Sequence, residues 1–241
     1  MTSLLPAVLA DLAPAGVLHA AINLGNPVLA QQGADGRLQG VSVALANALA
    51  QELGVPLQMR AYDAAGKVFA ALDEGAWNIA FLAIEPVREA QIAFSEPYVI
   101  IEGTYMVERD APYRVVADLD QPGLKLAVGK GAAYDLFLSR TLRHAQLERA
   151  ETSAGAVELF LLRHLDAAAG VRQPLQQVAA ADLRYRVLED AFTSIRQAMA
   201  VPRGRDAGAQ YVRAFVERKK AEGFIHAALA QSGQAEVTVA P

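Results

Sequence analysis

Arg88 is the residue whose type and position offer the most chemistry. It follows an almost continuously apolar run, Trp77 to Ile84, and stands two places beyond Pro86. Such a run reads as a buried parallel strand, and a proline just after it reads as the start of a short helix, so the sequence predicts Arg88 in a first helical turn at a strand's end. A planar guanidinium there holds a carboxylate by two parallel charged hydrogen bonds, and the N–H groups of a helix start favour the same charge. The plainer reading is a surface arginine paired with Glu85 or Glu89, which contributes only about 0.3–0.5 kcal/mol. Glu85 reads as the acidic cap of that helix rather than as a catalytic acid. Ala83 belongs to the apolar wall in front of it.

Other candidates lie where strands end, the place α/β folds use for ligands. Asn23 and Asn26 close a first strand, Val17 to Leu24, although asparagines also serve turns for their own sake. Gln197, at the start of a late strand, can donate and accept. Lys67 adds positive charge at a helix start, while most lysines are simply solvated. Tyr134 opens a helix after Gly129-Lys130-Gly131, where its ring either covers a ligand or packs in the interior. Arg172 ends another strand and faces either a ligand or a carboxylate at a lobe junction. Asp166 reads as structural support.

The elements that must position these groups repeat an order. Val17–Leu24, a helix beginning at a capping Ser42 and stopped by Gly54, Val55–Tyr62, a helix over Lys67–Asp73 and the Trp77–Ile84 strand make β-α-β-α-β. A helix over 87–91 and a strand over 99–107 follow. A second series comprises strand 125–128, helices 134–144 and 157–164, and strand 165–171. Strands over 183–188 and 197–201 precede closing helices over 208–231, interrupted near Gly223. The fold class expected is α/β, in two lobes of mostly parallel sheet flanked by helices: residues 1–102 with 194–241, and residues 103–193. Two crossings, near Glu102 and Thr193, join them.

Composition narrows the functional classes. The chain has 241 residues, 53% of them hydrophobic, which is ample for one or two cores. Its 22 basic and 26 acidic residues are interspersed, for a net charge of -4, so nucleic acid is not an expected partner. The absence of cysteine excludes disulfides, thiolate metal sites and a thiol nucleophile. Four histidines without i,i+4 pairing predict no zinc site, and neither a phosphate-binding glycine loop nor a G-x-S-x-G turn is present. No cofactor or metal is expected, and the chain is expected to be monomeric. No apolar run is long enough to span a membrane. The stretch Met1–Gly16 is broken by Pro6 and Asp11 with no preceding basic residue, so it does not read as an export signal.

The order of elements, together with Arg88-Glu89-Ala90-Gln91-Ile92-Ala93-Phe94-Ser95-Glu96-Pro97-Tyr98, resembles the polar-amino-acid solute-binding proteins of bacterial ABC transporters, with the type II periplasmic-binding fold. Leu38–Val43, Gly129–Ala133 and His164–Ala168 add supporting matches. The resemblance covers nearly the whole chain. It implies a ligand held in a cleft by hinge closure, a carboxylate on Arg88, transporter membrane subunits or a receptor as partners, and a periplasmic location; the unread export signal leaves the cytoplasm, and a sensor or carrier role, as the alternative. The same fold is similar to cyclohexadienyl dehydratase, which makes an enzyme acting on a carboxylated ring the rival expectation. Three departures stand out. Phe81, Leu82, Ala83 and Ile84 replace the family's hydroxyls before the arginine. Ala132 and Ala133 replace others after Gly131. The acidic residue that receives an α-amino group falls at Val171, followed by Arg172. These departures imply a carboxylate without an ammonium, rather than a standard α-amino acid.

Overall fold

The computed structural model describes residues 5–241. Helix α1 (Leu5–Leu12) precedes strand β1 (Leu18–Asn23), and a small ladder of β2 (Gln31–Gln32) and β3 (Leu38–Gln39) leads to α2 (Val41–Leu53). The helix buries Val41, Leu45, Ala46, Leu49 and Leu53, one face at helical spacing. Its start departs from the Ser42 cap expected. Gly40 takes the cap position at φ 113°, where a Cβ would lie 2.4 Å from the Leu29 carbonyl oxygen, so only glycine fits. Ser42 is instead buried within the first turn, its hydroxyl 3.3 Å from that of Tyr98. At the other end Gly54 turns left-handed, φ 67°, as the sequence predicts. A Cβ on Gly54 would meet nothing within 4 Å. Gly54→Ala should therefore cost only the left-handed backbone penalty, roughly 1–2 kcal/mol in a urea unfolding curve; a loss much beyond that would mean a contact other than the backbone is involved.

Next come β4 (Leu57–Tyr62), α3 (Ala65–Ala70), β5 (Ile79–Ala83) and the single turn α4 (Pro86–Glu89). Every residue of β5 is buried, as its apolar run requires. Trp77 just before it, 1% exposed, donates from its indole nitrogen to the Val68 carbonyl at 3.0 Å and so fixes α3. The long strand β6 (Ile92–Glu108) begins well before the expected Val99. The Phe-Ser-x-Pro-Tyr stretch accounts for that. The Ser95 hydroxyl donates to the Glu96 carbonyl and accepts from the Met199 amide, and Tyr98 packs edge-on to Phe81 with ring centroids 6.3 Å apart.

A 3-10 turn (Val116–Leu119) leads to β7 (Lys125–Gly129), α5 (Ala133–Thr141), β8 (Gln146–Ala150), α6 (Ser153–Arg163), β9 (Ala167–Val171), α7 (Arg172–Ala181) and β10 (Tyr185–Val187). The chain then passes through β11 (Thr193–Pro202), α8 (Asp206–Ala221), α9 (Phe224–Gln231) and β12 (Thr238–Val239). The break between α8 and α9 falls at Gly223, φ 71°. Neither β8 nor α7 is foreseen from the sequence. Strand β8 is mostly polar, and α7 carries Pro174 in its first turn and buries only Leu175, which hides an amphipathic helix behind a turn signal.

The chain divides into two compact units. Unit 1 comprises the chain up to Asp63, Lys67–Ile100 and Arg196–Pro241; unit 2 comprises Ala64–Gly66 and Ile101–Ile195. In unit 1, β4, β1 and β5 run parallel, and β11 lies antiparallel to β5 with Gln197 opposite Ala83. The first half of β6 pairs with β12. Helix α1 packs on α8: Leu12 is fully buried, the Asp11 carboxylate accepts the Gly208 amide at 2.9 Å, and Arg205 donates to the Asp11 carbonyl. In unit 2 the order is β6-β9-β7-β8, with β7 parallel to both neighbours and β9 antiparallel to β6. Met106, Phe160, Leu165, Leu175 and Tyr185 form part of its core. Among the described residues no helix is long and apolar enough to cross a membrane.

Candidate functional site

Because β4, β1 and β5 are parallel, their carboxyl ends, Tyr62, Asn23 and Ala83, share one edge of the unit 1 sheet. The antiparallel β11 brings Gln197, 6% exposed, to the same edge in register with Ala83. The turn α4 continues from β5. Glu85 occupies its cap position in extended conformation, Pro86 follows, and the amides of Arg88 and Glu89 both donate to the Glu85 carbonyl, at 2.9 and 3.1 Å. This geometry turns the Arg88 side chain back under the strand end, where Nη1 donates to the Ala83 carbonyl at 2.9 Å.

Arg88 is 1% exposed, which rules out the solvated surface pair. Burial lowers its pKa to about 10, with the neighbouring Glu85 charge opposing the shift, so the guanidinium stays protonated at neutral pH. Glu85 is 8% exposed, and its carboxylate makes no capping hydrogen bond. The cap expected of its side chain is thus corrected: the backbone caps, and the carboxylate serves as charge beside the guanidinium.

Asn23 accepts the Gly25 amide at 3.0 Å on Oδ1, the turn role. Asn26 turns the chain through its carbonyl, which accepts from Leu29 and Ala30, while its Oδ1 is buried without a hydrogen-bond partner. Tyr62, the register neighbour of Asn23, likewise buries a hydroxyl without one, under the Arg60 guanidinium 5.2 Å from its ring. Tyr62 escaped the sequence reading; an aromatic residue at the last position of a parallel strand was the available signal. Buried polar atoms without protein partners are uncommon and mark places where something else can bond. Lys67 is about half exposed and pairs with Asp63 at 2.8 Å, a solvated ion pair.

Unit 2 places its candidates differently. Tyr134 is 3% exposed; its hydroxyl donates to Ser153 at 2.8 Å and accepts the Gly129 amide at 3.3 Å, tying the end of β7 to α5 and α6. Burial pushes its phenol pKa up. These contacts are those of the packing residue. Arg172 donates to the Glu102 carboxylate (2.5 Å) and to the carbonyls of Leu188 (2.8 Å), Glu189 (2.9 Å) and Asp190 (3.0 Å). A guanidinium has five N–H donors, so four are committed within the unit; the carboxylate expectation, not the ligand one, describes its contacts. Val171 beside it occupies the cap position of α7 in extended conformation, its side chain making no cap. Asp166 accepts the Tyr113 hydroxyl and the Lys125 amide, as structural support requires. Among the described residues no group of His, Cys, Asp and Glu could hold a metal ion.

The chain passes from unit 1 into unit 2 and back, and unit 1 gathers polar groups at the carboxyl ends of its strands. The family described as bacterial extracellular solute-binding proteins, family 3, matches residues 18–233, and the chain belongs to it. Among solved structures it is similar to a mutant of ArgBP from T. maritima (TM-score 0.80, 19% identity, 94% of this chain and 99% of that one). It is similar too to an amino acid ABC transporter substrate-binding protein from Streptococcus pneumoniae bound to L-arginine (0.79, 22%, 97% and 99%). A third is an ancestral amino acid-binding protein described as a precursor of cyclohexadienyl dehydratase (0.78, 23%, 92% and 98%). At these identities the likeness is one of fold. No curated protein matches the sequence closely enough to add a relative.

Proposed function

We propose that the chain binds a small carboxylate-bearing solute that lacks an α-amino group, closing its lobes over it, and delivers it to the membrane subunits of an ABC transporter or reports it as a sensor. The observation that carries this reading is Arg88: a protonated guanidinium, almost fully buried at the carboxyl edge of the unit 1 strands. A forked guanidinium at that edge, held there beside the Glu85 charge, matches the paired oxygens of a carboxylate. Tyr62, whose buried hydroxyl no protein group bonds, can donate to a carboxylate from the same edge, and Gln197 supplies a further amide. Relatives of similar fold bind L-arginine and L-cysteine. The resemblance puts the family's ammonium-receiving carboxylate at Val171, which is apolar, and Ala83 and Ile84 offer no hydroxyls, which favours an acid with an apolar body.

A thermal-unfolding screen tests this with glutarate, 2-oxoglutarate, phenylacetate and benzoate against L-arginine, L-cysteine and L-glutamine. A ligand at about 100 times its dissociation constant stabilises the fold by roughly 2.7 kcal/mol. The expected result is a raised midpoint with one or more of the simple carboxylates and none with the amino acids. Stabilisation by amino acids alone would overturn the reading of Val171. Turnover of prephenate by the purified protein would replace binding by catalysis.

A further inference from the structure

Unit 1 carries a second group of arginines that the Arg88 edge does not use. A groove of about 450 Å³ is lined by Arg196, Arg203 and Arg213, with Ile84, Phe94 and the glutamates Glu89 and Glu96 among its other walls. Two of the guanidinium groups are set by the backbone. Arg203 donates from Nε to the Glu89 carbonyl at 2.6 Å, and its own amide bonds the Gln91 carbonyl at 2.9 Å; Arg213 donates from Nε to the Phe94 carbonyl at 3.0 Å. A guanidinium anchored through Nε keeps its terminal nitrogens in a fixed fork, so little conformational entropy remains to be lost when an anion arrives.

The charges in this groove are not spent on one another. Among the described residues no ion pair joins Arg196, Arg203 or Arg213 to Glu89, Glu96 or any other carboxylate. Three positive groups against two negative ones leave an excess that a compact anion can neutralise. The volume lies within the range of small-molecule sites, roughly 300–1,000 Å³, and exceeds what one bare oxyanion fills. The groove neighbours the Arg88 turn, since Ile84 donates its amide to the Arg196 carbonyl at 2.9 Å and Glu89 follows Arg88, but Arg88 itself is not among its lining residues.

We propose that this groove is a second anion site, separate from the Arg88 edge, which takes a phosphate group through the forks of Arg203 and Arg213 with Arg196 adding charge. Forked donors match the paired oxygens of a phosphate. Free phosphate and a small phosphomonoester share this chemistry, and the volume favours the monoester.

The test is a titration of the full chain with inorganic phosphate at constant ionic strength, following the arginine Nε–Hε signals by NMR, with Arg203→Gln and Arg213→Gln used to assign them. Both signals are expected to shift saturably. The double variant should weaken phosphate binding at least about tenfold, as loss of charge-assisted bonds implies, while Arg88→Gln leaves it within about twofold. An Arg203→Lys/Arg213→Lys variant keeps both charges and guards against misfolding; with its circular dichroism unchanged it should still bind more weakly than wild type, because the forks are gone. Glycerol phosphate binding more tightly than phosphate identifies the monoester as the source. Shifts no larger than those chloride produces, or saturable binding that survives the double glutamine variant, would overturn the proposal. Binding lost in Arg88→Gln alone would place the phosphate at the Arg88 edge and overturn it as well.

Discussion

Arg88→Ala is expected to weaken binding of any carboxylate that stabilises the wild type by at least about 100-fold, to the point where calorimetry no longer detects it. Truncating one partner of a buried, hydrogen-bonded charge pair costs about 2–5 kcal/mol, or roughly 30-fold to several thousand-fold in affinity. The place of Arg88 in the upper part of that range follows from its burial and from the fixed turn that aims it, with Glu85 capping through its backbone and Nη1 held on the Ala83 carbonyl. Arg88→Lys keeps a charge but not the fork and should recover only part of the loss. The pH dependence has a definite sign. The guanidinium sits at about 10 in the folded protein, so it is charged throughout pH 6–9 and carboxylate binding should be flat there. Binding should fall as the pH rises toward 10 and the charge is lost. An Arg88→Ala protein that folds and still binds within about threefold of wild type would remove Arg88 from the site.

The second large effect is expected on stability. Arg172→Ala should lower the unfolding free energy by about 2–4 kcal/mol, since hydrogen bonds to charged groups contribute roughly 1.5–3 kcal/mol each and do not add in full. Four such bonds are lost: one to Glu102 and three to the carbonyls of Leu188, Glu189 and Asp190. The turn they hold also anchors Thr104, which donates to the Leu188 and Asp190 carbonyls, and it delivers Phe192 against Tyr105 with ring centroids 4.7 Å apart. For a chain of this size the melting temperature should fall by roughly 4–16 °C. The increment given by a bound carboxylate should persist. A variant with unchanged melting temperature but no response to ligand would return Arg172 to the binding site.

The contrast between these two arginines shows what a linear reading reaches. Both stand at the end of a strand and open a helix, and both present the same side chain. Arg88 is folded back onto a carbonyl five residues away, so much of its environment is local and could be anticipated from Pro86 and the apolar run before it. The partners of Arg172 lie 16 to 18 residues ahead and 70 residues behind, and nothing near Arg172 in the chain specifies them.

By itself the sequence determined the elements whose signals are local: the buried run of β5, the amphipathic face of α2, and the stops at Gly54 and Gly223, because apolar periodicity and left-handed glycine act within a few residues. It also carried the family, whose match runs over residues 18–233. Tertiary structure alone decided which polar groups meet. Ser42 found Tyr98 56 residues away and Tyr134 found Ser153, while Tyr62 and Asn26 were left with buried atoms that no neighbour satisfies. A hydroxyl or a guanidinium will bond whatever lies within about 3 Å, and only the packing of distant strands sets what that is.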